Sequence, residues 1–405
     1  MKETKPDIFN EIVDIMSKDY SGCIDKKDFN HPEKYEITAE MSHEDFLKTV
    51  QSYLMDFQDY HVLFTQKSGK AYSNGFNVRR YENKLYVTET FQEKDLIIGD
   101  TITAINKVDI AAMAGLHRKE LFDDVYERQN WNNVLKNAKK CTVQRNGMEF
   151  EFIPKQYDLV TLPPVYSFRQ INDKTCLLTI SDFNNESALN DLLSQNDQAI
   201  INSHNLIIDV RKNNGGFDMA FYQLLSYIFP EKIMYSTLFA DDDTMLLRCT
   251  ERNCDLRTEN LSDILQDKVD DYTSRFIKEE LLFLQENYGK GFMVRHDTDF
   301  EICGRLTPAN VFILTDCYCR SSGDAFVQKS KKSNKVKVIG RNTMGITDYS
   351  NCVYKDFGDF RFFYPISKIM KNHINGIGVN VDIYIPWTPE HLIKDVDLEK
   401  VLSMT

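Results

Sequence analysis

Apolar positions along this chain change their period twice, and the changes divide it into three textures. In "SHEDFLKTVQSYLMDF", Phe46, Val50, Tyr53 and Leu54 recur at helical spacing behind Ser42 and an acid-rich first turn. That pattern predicts a capped amphipathic helix, and helical patterning runs from residue 1 to about 56 within an N-terminal segment 1–68. From 69 to 155 the period falls to two. "GFNVRRYENKLYVTET" predicts two strands joined at the polar "YENK", and "DLIIGDTITAINKVDI" a tight Gly-Asp turn followed by a strand. "CTVQRNGMEFEFIP" predicts a hairpin around Asn146-Gly147, while "HRKELFDDVYERQN" reads as a helix. A small β-rich module with one or two helices is expected there.

From 156 to 405 strands alternate with helices. "KTCLLTISDF", "NLIIDV", "NVFILTD" and "KVKVIG" read as strands. "ESALNDLLSQNDQAI", "GGFDMAFYQLLSYIF" and "SGDAFVQKSKKS" read as the helices between them. Such alternation predicts an α/β core of parallel strands with crossover helices. The segment 235–300 is too charged to continue it and reads as an insertion with some helix, a candidate lid or rim. "FRFFYPIS" reads as a buried strand.

Composition narrows the class. Apolar residues at 42% and charged residues at 27% are those of a globular chain, and 405 residues exceed one ordinary core. A formal net charge of −12 argues against nucleic acid as a partner, since phosphate binding needs basic surface. The polar opening "MKETKPDIFNEIVDIMSKDY" is no signal peptide, and no window is apolar enough for a membrane span, so a cytoplasmic location is expected. Nine cysteines, scattered without C-x-x-C pairing, fit reduced thiols and no metal site.

Three places carry candidate chemistry, and each has a plain structural reading. Ligands of parallel sheets sit beyond the carboxyl ends of strands, where "RKNNGGF" and "CYCRSSGD" both fall. Gly215-Gly216 either bring N–H groups to a ligand or simply make a tight turn. Ser321 is either a helix cap with Asp324 at N3, or a nucleophile at a helix N-terminus. His61, after a helix and before an apolar run, is either a hydrogen-bonded boundary residue or a base.

Their order and spacing add information. A strand ending in D-x-R-x-N-x-G-G (Asp209, Arg211, Asn213, Gly215, Gly216) precedes a strand and S-x-x-D (Ser321, Asp324). Then come G-x-x-T-x-G (Gly340, Thr343, Gly345) and "GIGVNVDIYIPWTPEHLIKDVDLEKVL". This ordered set, spread over roughly 42–402, resembles the C-terminal processing peptidases, the serine peptidases that include the tail-specific proteases and the tricorn core. "GFNV" and "DLIIGD" resemble that family's PDZ-like module, and "MDFQDYHVLF" resembles the D-G-H-T segment of the tricorn-like branch.

The resemblance implies a crotonase-like, αββ-type peptidase core at 156–405, with a PDZ-like module at 69–155 and an N-terminal helical segment at 1–68. It implies Ser321 as nucleophile, His61 as base and Asp324 as first choice for the carboxylate orienting it, with Asp348 and Asp382 behind. Gly215 or Gly216 with the N–H of Ser322 would hold the oxyanion, and Gly75 and Phe76 would receive a peptide carboxylate. A polypeptide substrate is implied and no cofactor is required. Two departures stand out: Ile346 occupies the place of the lysine base of the tail-specific branch, and Asn380 replaces the acid of G-V-E-P-D. They keep open a second reading, an inactive family member that binds peptides or small apolar ligands.

Overall fold

The computed structural model describes residues 3–68, 71–239, 243–266, 271–296, 299–370 and 374–405. The chain forms two compact units, one of Met1–Gly69, Phe239–Thr298 and Ile346–His373, the other of Lys70–Leu238, Asp299–Gly345 and Ile374–Thr405. The boundary expected between 68 and 69 falls at residues outside the described set.

The second unit holds two six-stranded sheets. One runs Tyr166–Asn172, Thr175–Ile180, Asn205–Asp209, Asn310–Thr315, Val336–Gly340 and Ile383–Tyr384 in spatial order. Its first pair is antiparallel and every later pair parallel, the arrangement that alternating strands and helices predict. The crossover helix Glu186–Asn202 is capped by Asn185, whose side chain accepts the Ala188 N–H. Ile207, Ile208, Ile313 and Leu314 are fully buried, as strands covered on both faces require.

The other sheet is antiparallel, ordered Phe76–Tyr81, Lys84–Thr90, Thr101–Ile105, Cys141–Arg145 and Met148–Phe152, with Val108–Asp109 beside Thr101–Ile105. Its own apolar cluster includes Phe76, Leu85, Val87, Ile102 and Val143. Asn146 at φ 50° and Gly147 at φ 79° turn the last hairpin with both residues left-handed, as the Asn-Gly pair predicts.

The first unit gathers three stretches far apart in sequence. Leu63–Gln66, Phe360–Ile369, Met245–Cys249 and Gly291–Arg295 share one sheet, and Tyr349–Phe357 pairs with Phe360–Ile369. Helices Lys5–Lys18, His43–Met55 and Glu251–Gln266 bury Ile12, Phe46, Tyr53 and Leu261 in one cluster with Leu247, Phe362 and Tyr364. The described residues of Phe239–Thr298 thus contribute strands and core-facing helices to this unit.

Two expected helices are shorter or tighter than their patterns suggest. "HRKELFDDVYERQN" is α-helical only over Arg118–Leu121, ends at Phe122, where φ is 64°, and returns to one 3₁₀ turn at Tyr126–Arg128. The chain leaves the helix because Asp123 takes the Val125 N–H and pairs with Arg128, whose Nη2 reaches the Met344 carbonyl at 2.5 Å. Tertiary partners for Arg128 outweigh helix propensity. "GGFDMAFYQLLSYIF" is a 3₁₀ segment over Asp218–Leu224 before one α-turn at Leu225–Ile228. Among the described residues no helix is long and apolar enough to cross a membrane, and all nine cysteines are free thiols.

A buried ion network ties the two sheets of the second unit together. Arg79, from the antiparallel sheet, grips Asp316 with both terminal nitrogens, at 3.0 and 2.9 Å. Arg341 donates to Asp316 at 2.8 and 2.5 Å, and to Asp397 at 2.8 and 2.7 Å. Arg211 continues from Asp397 (3.2 Å) to Asp395 (2.6 Å) and Asp209 (2.7 Å). Burial alone would raise the pKa of Asp316, but Arg79 and Arg341 outweigh it and hold the carboxyl well below its usual range. Asp397 is likewise lowered to about 2, burial being overcome by His391, Arg341 and Arg211.

Folding therefore lowers both pKa values. The associated stability is complete above the unfolded value of about 4 and is lost as pH falls through the folded values. Urea midpoints are expected to hold from pH 7 to about 5 and to fall steeply between pH 4 and 2. Asp316→Asn, which strands two buried guanidiniums, is expected to cost about 3–5 kcal/mol at pH 7 and to flatten that acid decline.

Candidate active site

Gly340 closes the strand Val336–Gly340, and Asp316 follows the strand Asn310–Thr315, so both chain turns at this end of the sheet start from fixed points. From Asp316 the chain runs through Cys317–Arg320 to Ser321 and enters the helix Ser322–Ser330. Ser321 sits at φ 56°, ψ −121°, a conformation an L-residue adopts only under constraint. The constraint is local. Arg320 N–H donates to the Asn213 carbonyl (3.0 Å), and Met344 N–H donates to the Cys319 carbonyl (2.7 Å). Ser321 N–H itself donates to Asp324 Oδ2 at 2.7 Å.

The glycine turn after Asp209 lies directly against this serine. A side chain at Gly215 would come within 2.7 Å of Ser321 Cβ and 3.3 Å of its Oγ. Gly215 N–H is held by Asn213 Oδ1 at 2.9 Å, which removes it as a free donor and leaves Gly216 from the expected pair. Gly216, at φ 140°, lies so close to the Phe183 main chain that a Cβ would sit 2.4 Å from its carbonyl carbon. Its carbonyl accepts the Ser322 hydroxyl at 2.7 Å. The main-chain N–H groups of Gly216 and Ser322 have no acceptor among the described residues. Ser322 N–H is one of the orphan donors at the start of a helix.

Asp324 is fully buried. Beyond the Ser321 N–H, its other oxygen accepts the Gly345 N–H at 2.8 Å. This acid therefore binds the serine turn to the T-x-G turn, which is a different task from orienting an imidazole. Asp382, a later choice for that task, is also engaged: its oxygens take the Val338 N–H (2.8 Å) and Lys331 Nζ (2.6 Å). Asp348 belongs to the first unit and is buried.

His61 belongs to the first unit, between the helix His43–Met55 and the strand Leu63–Gln66. Its main-chain N–H donates to Asp59 Oδ1 at 2.8 Å, and its Nδ1 stands 3.9 Å from the same oxygen. Gly75 and Phe76 begin the edge strand of the antiparallel sheet. The Gly75 carbonyl accepts three successive N–H groups, from Phe91, Gln92 and Glu93, and Gly75 N–H donates to Ser73 Oγ at 3.3 Å. At φ 74° under the Tyr157 ring, position 75 has no room for a side chain.

Sequence reasoning placed Ser321, Ser322, Gly216 and Asp324 together and gave no role to Asn213 or Asp59. Asn213 was visible in the D-x-R-x-N-x-G-G pattern; only the structure shows its side-chain amide holding Ile180 and Gly215 while its main-chain carbonyl holds Arg320. Among the described residues no three His, Cys, Asp or Glu side chains are grouped to hold a metal ion.

The model of a family described as Peptidase family S41 matches residues 174–385. Among solved structures, mature CPAF complexed with lactacystin superposes with a TM-score of 0.67 at 10% identity, covering 99% of this chain and 97% of that one. A second structure of mature CPAF gives 0.63 at 10% identity, with 96% and 94% covered. A protein from Parabacteroides merdae gives 0.53 at 13% identity, with 100% and 97% covered. At these identities the likeness speaks for the fold alone. No curated protein matches the chain.

Removing the Asp324 carboxylate leaves two main-chain donors without their acceptor. Asp324→Ala is expected to lower stability by about 2–5 kcal/mol, and Asp324→Asn, which keeps one acceptor oxygen, by about half as much. Urea unfolding of the two variants against wild type measures the difference.

Proposed function

The chain belongs to peptidase family S41, a family of serine peptidases, and from that premise we propose that it hydrolyses polypeptides through an acyl-enzyme on Ser321. We read the parallel sheet and its helices as a crotonase-like core, residues 69–155 as a PDZ-like module, and residues 1–68 as the segment that supplies the base.

In this mechanism His61 Nε2 takes the Ser321 hydroxyl proton as Oγ attacks the scissile carbonyl. The N–H groups of Gly216 and Ser322 receive the oxyanion. Such donors each typically contribute about 3–4 kcal/mol in the transition state. The proton passes to the leaving amine as the C–N bond breaks, and water then hydrolyses the ester by the same steps in reverse order of partners. The observation that carries this reading is the constrained Ser321 backbone beside two free main-chain donors. The edge strand beginning at Gly75 and Phe76 would accept an extended peptide and its carboxylate by strand addition.

Incubation with a serine-directed fluorophosphonate, followed by peptide mass mapping, tests the proposal. Adduct is expected at Ser321 in wild type and absent from Ser321→Ala. Cleavage of an unfolded polypeptide is expected to fall on the order of 10⁵–10⁶-fold in Ser321→Ala and His61→Ala. Folded wild type that neither takes up the probe nor cleaves such chains would instead be the inactive, ligand-binding family member.

A further inference from the structure

The family pattern places an acid near the C-terminal end of the core to orient the base, and here that place is Asn380. The geometry points to Asp59 as the carboxylate that positions His61, with the Tyr20 hydroxyl holding Asp59 in turn. This inference rests on the reading of His61 as the base, and Asp59 is a positioning residue, not a group that touches substrate.

All the groups involved belong to the first unit. Gln58, at φ 48°, bends the chain after the helix His43–Met55, and Val62 N–H closes a turn onto the Asp59 carbonyl at 3.2 Å. The bend puts both ends of the Asp-x-His triplet on one side. Asp59 is buried, as is Tyr20. Asp59 Oδ1 accepts the His61 main-chain N–H (2.8 Å) and faces His61 Nδ1 at 3.9 Å. Asp59 Oδ2 accepts the Tyr20 hydroxyl at 2.7 Å. Closing the Nδ1 contact to a hydrogen bond needs a movement of about 1 Å, and catalytic hydrogen bonds are often that loose without substrate.

Lys26 and Tyr20 brace the loop that carries the pair. Lys26, also buried, donates from Nζ to the carbonyls of Phe57 (2.6 Å) and Gln58 (3.2 Å), tying down the loop that carries the pair. Burial lowers the pKa of Lys26, while Asp59, Asp348 and Asp25 act to keep it charged. Tyr20 is wedged between the rings of Phe57 and Tyr349, at 5.9 and 5.7 Å. Burial and then Asp59 push its hydroxyl upward, so it remains a donor. The Tyr349 hydroxyl and the Cys352 thiol, both pushed upward by burial first and by Asp59 as well, also face it. The His61 main-chain N–H and the Tyr20 hydroxyl ask only for acceptor oxygens, and burying a carboxylate for these two bonds alone would be costly. Facing Nδ1 supplies the reason for the charge: it fixes the tautomer with the proton on Nδ1 and leaves Nε2 to take the proton of Ser321.

The test compares Asp59→Asn, Asp59→Glu, Tyr20→Phe and His61→Ala for fluorophosphonate labelling rate at Ser321 and for peptide cleavage across pH. Asp59→Asn is expected to lower kcat about 10³–10⁴-fold with KM little changed. It should also move the acid limb of the pH profile downward, because the imidazolium loses its counter-charge. Tyr20→Phe should lose several-fold, and Asp59→Glu should recover part of the loss. If His61→Ala abolishes labelling while Asp59→Asn labels like wild type with an unmoved limb, the role of Asp59 is refuted and the base stands. If His61→Ala labels like wild type, the base itself is wrong. Should Asp59→Asn not fold, the ¹⁵N imidazole spectrum of wild type decides: neutral His61 protonated on Nδ1 supports the inference, and protonation on Nε2 overturns it.

Discussion

The second unit depends on one constraint, the burial of Asp316 between Arg79 and Arg341. Asp316 ends the strand that delivers Ser321, Arg341 follows the next strand over, and Arg79 comes from the antiparallel sheet. Three ions with almost no exposure to solvent cost several kcal/mol each to desolvate. They are tolerable only because every carboxylate oxygen of Asp316 has a guanidinium partner and Arg341 also reaches Asp397 through Nη1 and Nη2. A network built this way has few alternative arrangements. Its function is best understood as fixing a register: it sets where the antiparallel sheet meets the parallel one, and where the chain leaves Thr315.

That fixed departure point accounts for the strain at Ser321. A serine in a sparsely populated backbone conformation costs of the order of 1–3 kcal/mol, and persists only where its neighbours over-determine it. Here the chain is held on both sides, by Asp316 five residues before and by the helix beginning at Ser322 after it. Asn213 holds Arg320 and Gly215 from one flank, and Asp324 ties the Ser321 N–H to Gly345 from the other. Arg128 in turn grips the carbonyl of Met344, next to Gly345. The main-chain N–H groups of Gly216 and Ser322 are what these ties leave without an acceptor among the described residues.

Much of this was legible in the sequence because it is local. Period-two alternation and Asn-Gly located the hairpins, and strands followed by helices located the parallel sheet. Four quoted motifs marked the serine and glycine turns. What escaped detection is non-local. Nothing near residue 79 announces that its guanidinium reaches Asp316, and nothing near 128 announces Met344, the partner that ends a helix the local pattern favours. The 235–300 segment reads as a charged insertion because its apolar positions face residues hundreds of positions away, as Leu247 does in sharing a cluster with Ile12 and Phe362. Asp324 is the instructive case: sequence allowed both a cap partner and a relay acid, and its oxygens accept the main-chain N–H groups of Ser321 and Gly345.

The departures from the family pattern also become coherent once each position is examined for what it holds. Asn380 accepts from the Asn342 side chain at 2.9 Å and offers its carbonyl to Lys331 Nζ at 2.7 Å, so it holds its own loop to Asn342 and Lys331. Ile346, at 5% exposure, is a packed apolar residue in the first unit, with no use for an ionised amine. Neither position retains a charge that could serve a proton relay. If His61 is the base, the charge that orients it must come from elsewhere. The acid that the chain buries beside the imidazole, two residues before it and braced by Tyr20, removes the need for a partner at either position.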